Sequence, residues 1–200
     1  MRDQLRCLAS VDEGVGLILA ALERRGELDR TVILFTSDNG YLMGEHGLID
    51  QKRWAYDPAL RVPLVIRYPH AIAAGTVRDQ MVLNIDIAPT LLELAGLKSI
   101  VPLHGRSFVP LLRDDAAPWR TAFLAEYFLE KVSPRVASWT AVRTTRWKYI
   151  RYQGEPEEHE ELYDLAADPG EVRNLIATAG AREVLPGLRR QLAELQRASP

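Results

Sequence analysis

Residues 31–37, Thr-Val-Ile-Leu-Phe-Thr-Ser, set four apolar residues in a row between polar neighbours. The run from Val32 to Phe35 is β-branched and aromatic and does not alternate with polar residues. It predicts a strand covered on both faces rather than one half-open to solvent. Upstream, Leu5, Leu8, Val11, Val15, Ile18 and Leu22 recur at three- and four-residue steps. That is the apolar stripe of a helix packed against something. Arg24 and Arg25 fall in its last turn and Gly26 is a natural C-cap. Gly14 and Gly16 weaken it by about 1 kcal/mol each relative to alanine. Helix, short loop and buried strand are the grammar of an α/β sheet.

Residues 61–69 predict a second strand, with Pro63 and Pro69 near its ends, where a missing N–H does least harm. Residues 84–97 predict a helix. Asp86 is placed to cap it, Pro89 sits in its first turn, Leu91, Leu92 and Ala95 form its inner face, and Gly96 stops it. Residues 101–120 are rich in proline and glycine and read as loop with a short helix around 108–112. After about residue 120 the character changes to short aromatic and β-branched runs with turn-like breaks. These predict a small antiparallel sheet. Residues 154–161 form a charged loop. A closing helix over 181–196 buries Leu185, Leu188, Leu192 and Leu195. The expected layout is α/β for residues 1–120, then a small antiparallel subdomain with its helix over 121–200.

The 200 residues carry 25 basic and 27 acidic groups, well mixed, for a formal charge of −2. That balance offers no nucleic-acid footprint and no polybasic membrane face. Residues 143–152 do interleave arginine and lysine with aromatics, a pattern that can stack on single-stranded bases. The same pattern fits a β-hairpin with one buried face, and the near-neutral charge favours the hairpin. No apolar run approaches the roughly 20 residues that span a bilayer, and no signal-peptide stretch is evident, so the compartment stays open. The one cysteine, Cys7, excludes an internal disulfide and reads as a small core residue of the first helix.

Asp38, Asn39 and Gly40 follow the first strand directly. Ligands in open α/β sheets gather at the carboxyl ends of strands. A carboxylate and an amide carbonyl are hard oxygens, suited to Ca²⁺ or Mg²⁺ and poorly to zinc. Asp-Asn-Gly is also ordinary tight-turn chemistry. Two ligands do not complete a site, because such an ion takes about six or more oxygens. His46 follows eight residues after Asp38 and Lys52 fourteen after it. Singly they read as a loop histidine and a solvated lysine. Together with a cation they would cradle an anion with several oxygens, such as sulfate or phosphate. His70, His104 and His159 form no ligand spacing.

Residues 31–69 resemble the second half of a type I sulfatase of the alkaline-phosphatase-like superfamily. The shared order is Asp-Asn-Gly after a strand, His46-Gly47, Lys52, Tyr56-Asp57, and Arg61-Val62-Pro63-Leu64. The resemblance continues through residues 84–96, 104–113, 141–152 and 161–175, in the family's order. Within the family the sequence is most similar to glucosamine-6-sulfatases. The resemblance implies a partial alkaline-phosphatase-like sheet and a Ca²⁺, with Mg²⁺ as the alternative, held in part by Asp38 and Asn39. It implies a second role for Asp38 as a base, sulfate contact by Lys52, and substrate contact by His46. It also implies a formylglycine nucleophile made from a C-x-P-S-R motif, and a sulfated small molecule or glycan as substrate.

The sequence departs from the family in lacking C-x-P-S-R; neither the Cys7 stretch nor Ser133-Pro134-Arg135 matches it. The family's early aspartate pair is absent too. The expectation is therefore the C-terminal portion of a longer sulfatase, inactive alone, with the N-terminal half as a partner. The alternatives are a phosphatase or phosphodiesterase of the same superfamily, which Asn39 disfavours where a zinc enzyme would place histidine, and a non-catalytic remnant of the fold.

Overall fold

The computed structural model describes residues 2–114, 116–132, 136–154 and 159–198. The Ser-Pro-Arg stretch at 133–135 and the middle of the charged loop lie outside them. In order the elements are α1 (Arg2–Arg24), β1 (Ile33–Thr36), β2 (Leu42–Met43), β3 (Ile49–Gln51), α2 (Asp57–Leu60) and β4 (Leu64–Arg67). Then come α3 (Ile87–Leu94), α4 (Val109–Arg113), β5 (Ala122–Tyr127), β6 (Ser138–Thr144), β7 (Trp147–Gln153), β8 (Glu160–Asp164) and α5 (Ala181–Ala198). The result is a mixed α/β chain ending in a four-stranded antiparallel sheet and a helix.

That sheet runs β5-β6-β7-β8, each strand antiparallel to the next. Each strand rises from one of the aromatic and β-branched runs. The expected single buried face is corrected here: both faces are covered. On one face Ala141, Ile150, Tyr152 and Tyr163 pack with Leu42, Ala55, Tyr56 and Ala59. On the other, Val142, Tyr149 and Leu162 pack against Ala181, Leu188 and Leu192 of α5. Alternation along β7 sends Lys148, Ile150 and Tyr152 one way and Trp147 and Tyr149 the other. Leu185 and Leu195 are partly buried on the inner side of α5, as its periodicity requires.

An ion pair closes the turn after β8. Asp164 accepts from Arg146 at 2.7 Å and from the Ala166 N–H at 3.2 Å. The Arg146 guanidinium is the first cause that holds its carboxyl below the usual 3.8. A carboxyl with a lowered folded-state pKa adds stability that is present above the unfolded value and lost as pH falls through the folded one. Acid titration followed by circular dichroism should therefore show the chain losing stability below about pH 4, and Asp164→Asn should flatten that limb. An unchanged acid limb in Asp164→Asn would exclude this contribution.

The N-terminal half differs from expectation in its coverage. β1 pairs antiparallel with β4 in a two-stranded ladder, Ile33 opposite Arg67 and Thr36 opposite Leu64. Phe35 and Val65 remain 47% and 61% exposed. The α1 stripe forms a helix but is not packed: Leu5, Leu8, Val11 and Ile18 are all exposed. Cys7 is exposed as well, not a core residue. The reason is common to all of them, since nothing among the described residues covers these faces.

Residues 84–97 split into a 3-10 turn, Asn84–Asp86, and α3. Leu91 and Ala95 are exposed rather than inner-facing. Asp86 holds the N-cap position of α3 as expected, but its side chain makes no capping hydrogen bond there. Its carboxylate accepts from the Leu83 N–H at 2.8 Å, the Arg106 N–H at 2.9 Å and Arg120 Nη2 at 2.7 Å. An interior carboxylate needs that many donors to stay charged. The short helix expected near 108–112 is α4.

Candidate functional site

Asp38 and Asn39 stand in the loop that leaves the C-terminal end of β1. The turn is not the hairpin that Asp-Asn-Gly would suggest. β1 pairs with β4 and not with β2, the next strand along the chain, and Gly40 is not among the glycines with positive φ. Gly40 is required for a different reason. A Cβ there would fall 2.0 Å from the Pro58 carbonyl oxygen and 2.8 Å from that of Arg61. The bare backbone instead docks on α2: the Gly40 and Tyr41 N–H groups each donate at 2.8 Å, to the carbonyls of Ala59 and Pro58.

This docking leaves the two side chains at the rim. Asp38 is exposed and Asn39 half-buried. Asp38 Oδ1 accepts from the Asn39 N–H at 2.9 Å and from the Ser37 hydroxyl at 3.3 Å. The Asn39 amide nitrogen donates to the Gly40 carbonyl at 2.8 Å. None of these bonds uses Asp38 Oδ2 or Asn39 Oδ1. Among the described residues one anionic and one neutral oxygen are thus left as acceptors, the donor set that suits a hard divalent cation. Among the described residues no group of three or more His, Cys, Asp or Glu stands ready to hold a metal, so these residues offer at most part of a coordination sphere.

The Asp38 carboxyl is held below its usual value. The Asn39 N–H contributes most; the positive charge of Lys52 and the Ser37 hydroxyl add to it, against the opposing effect of desolvation. Lys52 therefore lies within electrostatic reach of Asp38. Its ammonium is exposed and has no hydrogen bond or ion pair among the described residues. His46 occupies the turn between β2 and β3 with φ of 54°. That left-handed backbone is rare for a residue with a side chain, and Gly44 and Gly47 flank it with positive φ of their own. The imidazole stacks on the buried Tyr56 ring with centroids 3.7 Å apart and planes 7° from parallel. It makes no hydrogen bond to Asp38, Asn39 or Lys52. The Tyr56 phenol is pushed up to about 12, first by burial and then by the nearby Glu161 charge.

The segment that follows Lys52 is sewn to the C-terminal sheet and the loop after it by three side chains. Trp139 Nε1 donates to the Arg53 carbonyl at 2.8 Å. Lys148 Nζ donates to the Ala55 carbonyl at 3.0 Å. Glu171 accepts from the Asp57 N–H at 2.6 Å. Lys148 is fully buried and pairs with Asp57 at 2.5 Å and Glu171 at 2.6 Å, while Arg143 reaches Asp57 at 3.2 Å. Burial opposes charge on Asp57, but Lys148 and then Arg143 outweigh it and keep its carboxyl below the usual range. Burial dominates at Glu171 and pushes its carboxyl up, with Lys148 pulling the other way. The sequence carried a signal for Lys148, which shares a strand face with the buried Ile150 and Tyr152. For Glu171, in a loop with φ of 54°, it carried none.

Residues 44–198 match the family model described as N-sulphoglucosamine sulphohydrolase, C-terminal. The chain belongs to this family of sulfatases. It is similar, at 38% identity over 98% of its length, to an N-acetylglucosamine-6-O-sulfatase of Bacteroides thetaiotaomicron. It is 33% identical over 99% of its length to the N-acetylglucosamine-6-sulfatase of Bos taurus. The sulfatase chain spans 36% and 40% of the lengths of those two relatives. A solved structure described as a complex with its substrate D-glucosamine-2-N,6-O-disulfate superposes with a TM-score of 0.89 at 36% identity, covering 95% of this chain and 39% of the other. A phosphonate monoester hydrolase of Agrobacterium radiobacter superposes with a TM-score of 0.83 at 31% identity, covering 95% and 40%.

Proposed function

We propose that the chain is the C-terminal portion of a sulfatase that hydrolyses sulfate esters of a sugar. In this reading Asp38 and Asn39 supply part of a calcium site, Lys52 contacts the sulfate, and His46 contacts the substrate beside it. The observation that carries it is a pair of oxygens, Asp38 Oδ2 and Asn39 Oδ1, that accept no hydrogen bond among the described residues, at the end of a strand and within the field of an ammonium that has no partner among those residues. The glucosamine sulfatases it resembles support a sulfated sugar as substrate.

Each residue then has a physical task. The depressed Asp38 pKa keeps the carboxylate charged at neutral pH. That favours its role as a ligand over the proton-accepting role implied by the family. The Lys52 ammonium, without a partner among the described residues, is available to an incoming anion and offsets charge that builds on sulfuryl oxygens. His46 is exposed, and its ring is backed by the Tyr56 ring on which it stacks. A calcium ion bound at Asp38 and Asn39 would supply further positive charge to the sulfuryl oxygens.

The nucleophile is not among these residues. With no C-x-P-S-R in the sequence, the chain alone is inactive in this reading. Its partner is a polypeptide carrying the remainder of the relatives' length. The exposed stripe of α1 and the open faces of β1 and β4 are where that partner would pack.

Purified chain given calcium and an aryl sulfate should show no turnover. Co-expression with a polypeptide carrying the C-x-P-S-R motif should restore it, and Lys52→Ala in the pair should abolish most of it. Turnover by the chain alone would refute the reading. So would a restored pair indifferent to Asp38→Ala and Lys52→Ala. The likeness to a phosphonate monoester hydrolase supports a second reading, and faster hydrolysis of a phosphonate monoester than of a sulfate by the same pair would favour it.

A further inference from the structure

Asn84 is exposed and distant in sequence from the strand-end loop, yet its amide nitrogen donates to two consecutive backbone carbonyls of that loop. It reaches the Asp38 carbonyl at 2.9 Å and the Ser37 carbonyl at 3.1 Å. One donor group thus spans the peptide on the N-terminal side of the proposed cation ligands. The opposite side of the loop is fixed by Gly40 and Tyr41 on α2.

The mount that carries Asn84 is stiff. Two residues later Asp86, fully buried, gathers the Leu83 and Arg106 N–H groups and the Arg120 guanidinium. Thr90 donates its hydroxyl to the Asp86 carbonyl at 2.6 Å and accepts from the Phe108 N–H at 2.9 Å. Gly105 presses on the turn so closely that a Cβ there would lie 1.9 Å from the Ile85 carbonyl oxygen. A side chain held by such a frame restrains whatever it bonds.

We infer that Asn84 is a positioning residue. By holding the Ser37 and Asp38 carbonyls it sets the direction in which the Asp38 carboxylate and Asn39 amide present their open oxygens. The inference rests on the cation reading given above, and goes beyond it by naming an outer residue that holds no cation itself. Removing such outer partners commonly costs 10- to 100-fold in metal affinity.

The test uses the chain paired with the polypeptide that carries the C-x-P-S-R motif, with Asn84→Ala, Asn84→Leu to keep the volume without the donors, and Asn84→Gln to keep the donors. Amide NMR at residues 38–40 reads hydrogen exchange and, in a calcium titration, affinity. Both donor-free variants should exchange faster at 38–40 and bind calcium about tenfold or more weakly. Exchange in β5 to β8 and the thermal midpoint should stay as in the parent, and Asn84→Gln should fall between parent and Asn84→Ala. Unchanged exchange at 38–40 in both donor-free variants would overturn the inference. Faster exchange in those variants, with no calcium response in the parent pair, would uphold the clamp and overturn the cation reading.

Discussion

Lys148→Met is expected to destabilise the chain by about 3–5 kcal/mol, the cost of removing one partner from a buried ion network. The ammonium is fully buried and serves three acceptors at once: Asp57, Glu171 and the Ala55 carbonyl. Methionine fills the volume, so the loss is electrostatic rather than a cavity. It leaves two buried carboxylates facing each other, with only Arg143 still on Asp57. Urea unfolding should show a lower midpoint with the same slope. Adding Glu171→Gln to Lys148→Met should recover part of the loss, because it removes one of the stranded charges. A loss under about 1 kcal/mol for Lys148→Met would mean that the network contributes little.

The second large effect falls on the other anchor. Arg120→Met should destabilise by a similar amount, about 3–5 kcal/mol, because Asp86 has no exposure and would keep only two backbone N–H donors. Asp86→Asn added to Arg120→Met should restore much of the stability by removing the unpaired charge. Since Asp86 stiffens the turn that bears Asn84, Arg120→Met should also speed hydrogen exchange at residues 37–39. Lys148→Met should loosen residues 53–57 instead. The same exchange measurement on the two variants separates the anchors, and identical exchange maps would show that the two networks are not independent.

The two networks explain why the rim residues are where they are. Lys52 precedes a segment whose backbone is held by Trp139 and Lys148 from the C-terminal sheet and by Glu171 from the loop after it. Asp38 lies in a loop held by Asn84 on one side and α2 on the other. The C-terminal sheet therefore contributes to the candidate site by fixing its supports, without placing a side chain on the rim.

Much of the local structure follows from the sequence alone. The four aromatic and β-branched runs, and the leucine spacing of 181–196, specify the antiparallel sheet and α5. The order of the motifs, from Asp38-Asn39 through Lys52 to residues 161–175, carries the family. Such patterns are local: periodicity and turn chemistry are written within a window of one element. The tertiary structure alone decided why Gly40 is a glycine, that the Asp86 carboxylate meets Arg120 rather than a helix end, and that Lys148 is an interior cation. It also decided that α1 and β1 lie open within this chain. The reason is separation along the chain. Lys148 and Ala55 lie 93 residues apart, Asp57 and Glu171 114, Asn84 and Asp38 46. Contacts at that range come from the packing of whole elements, which no local spacing encodes.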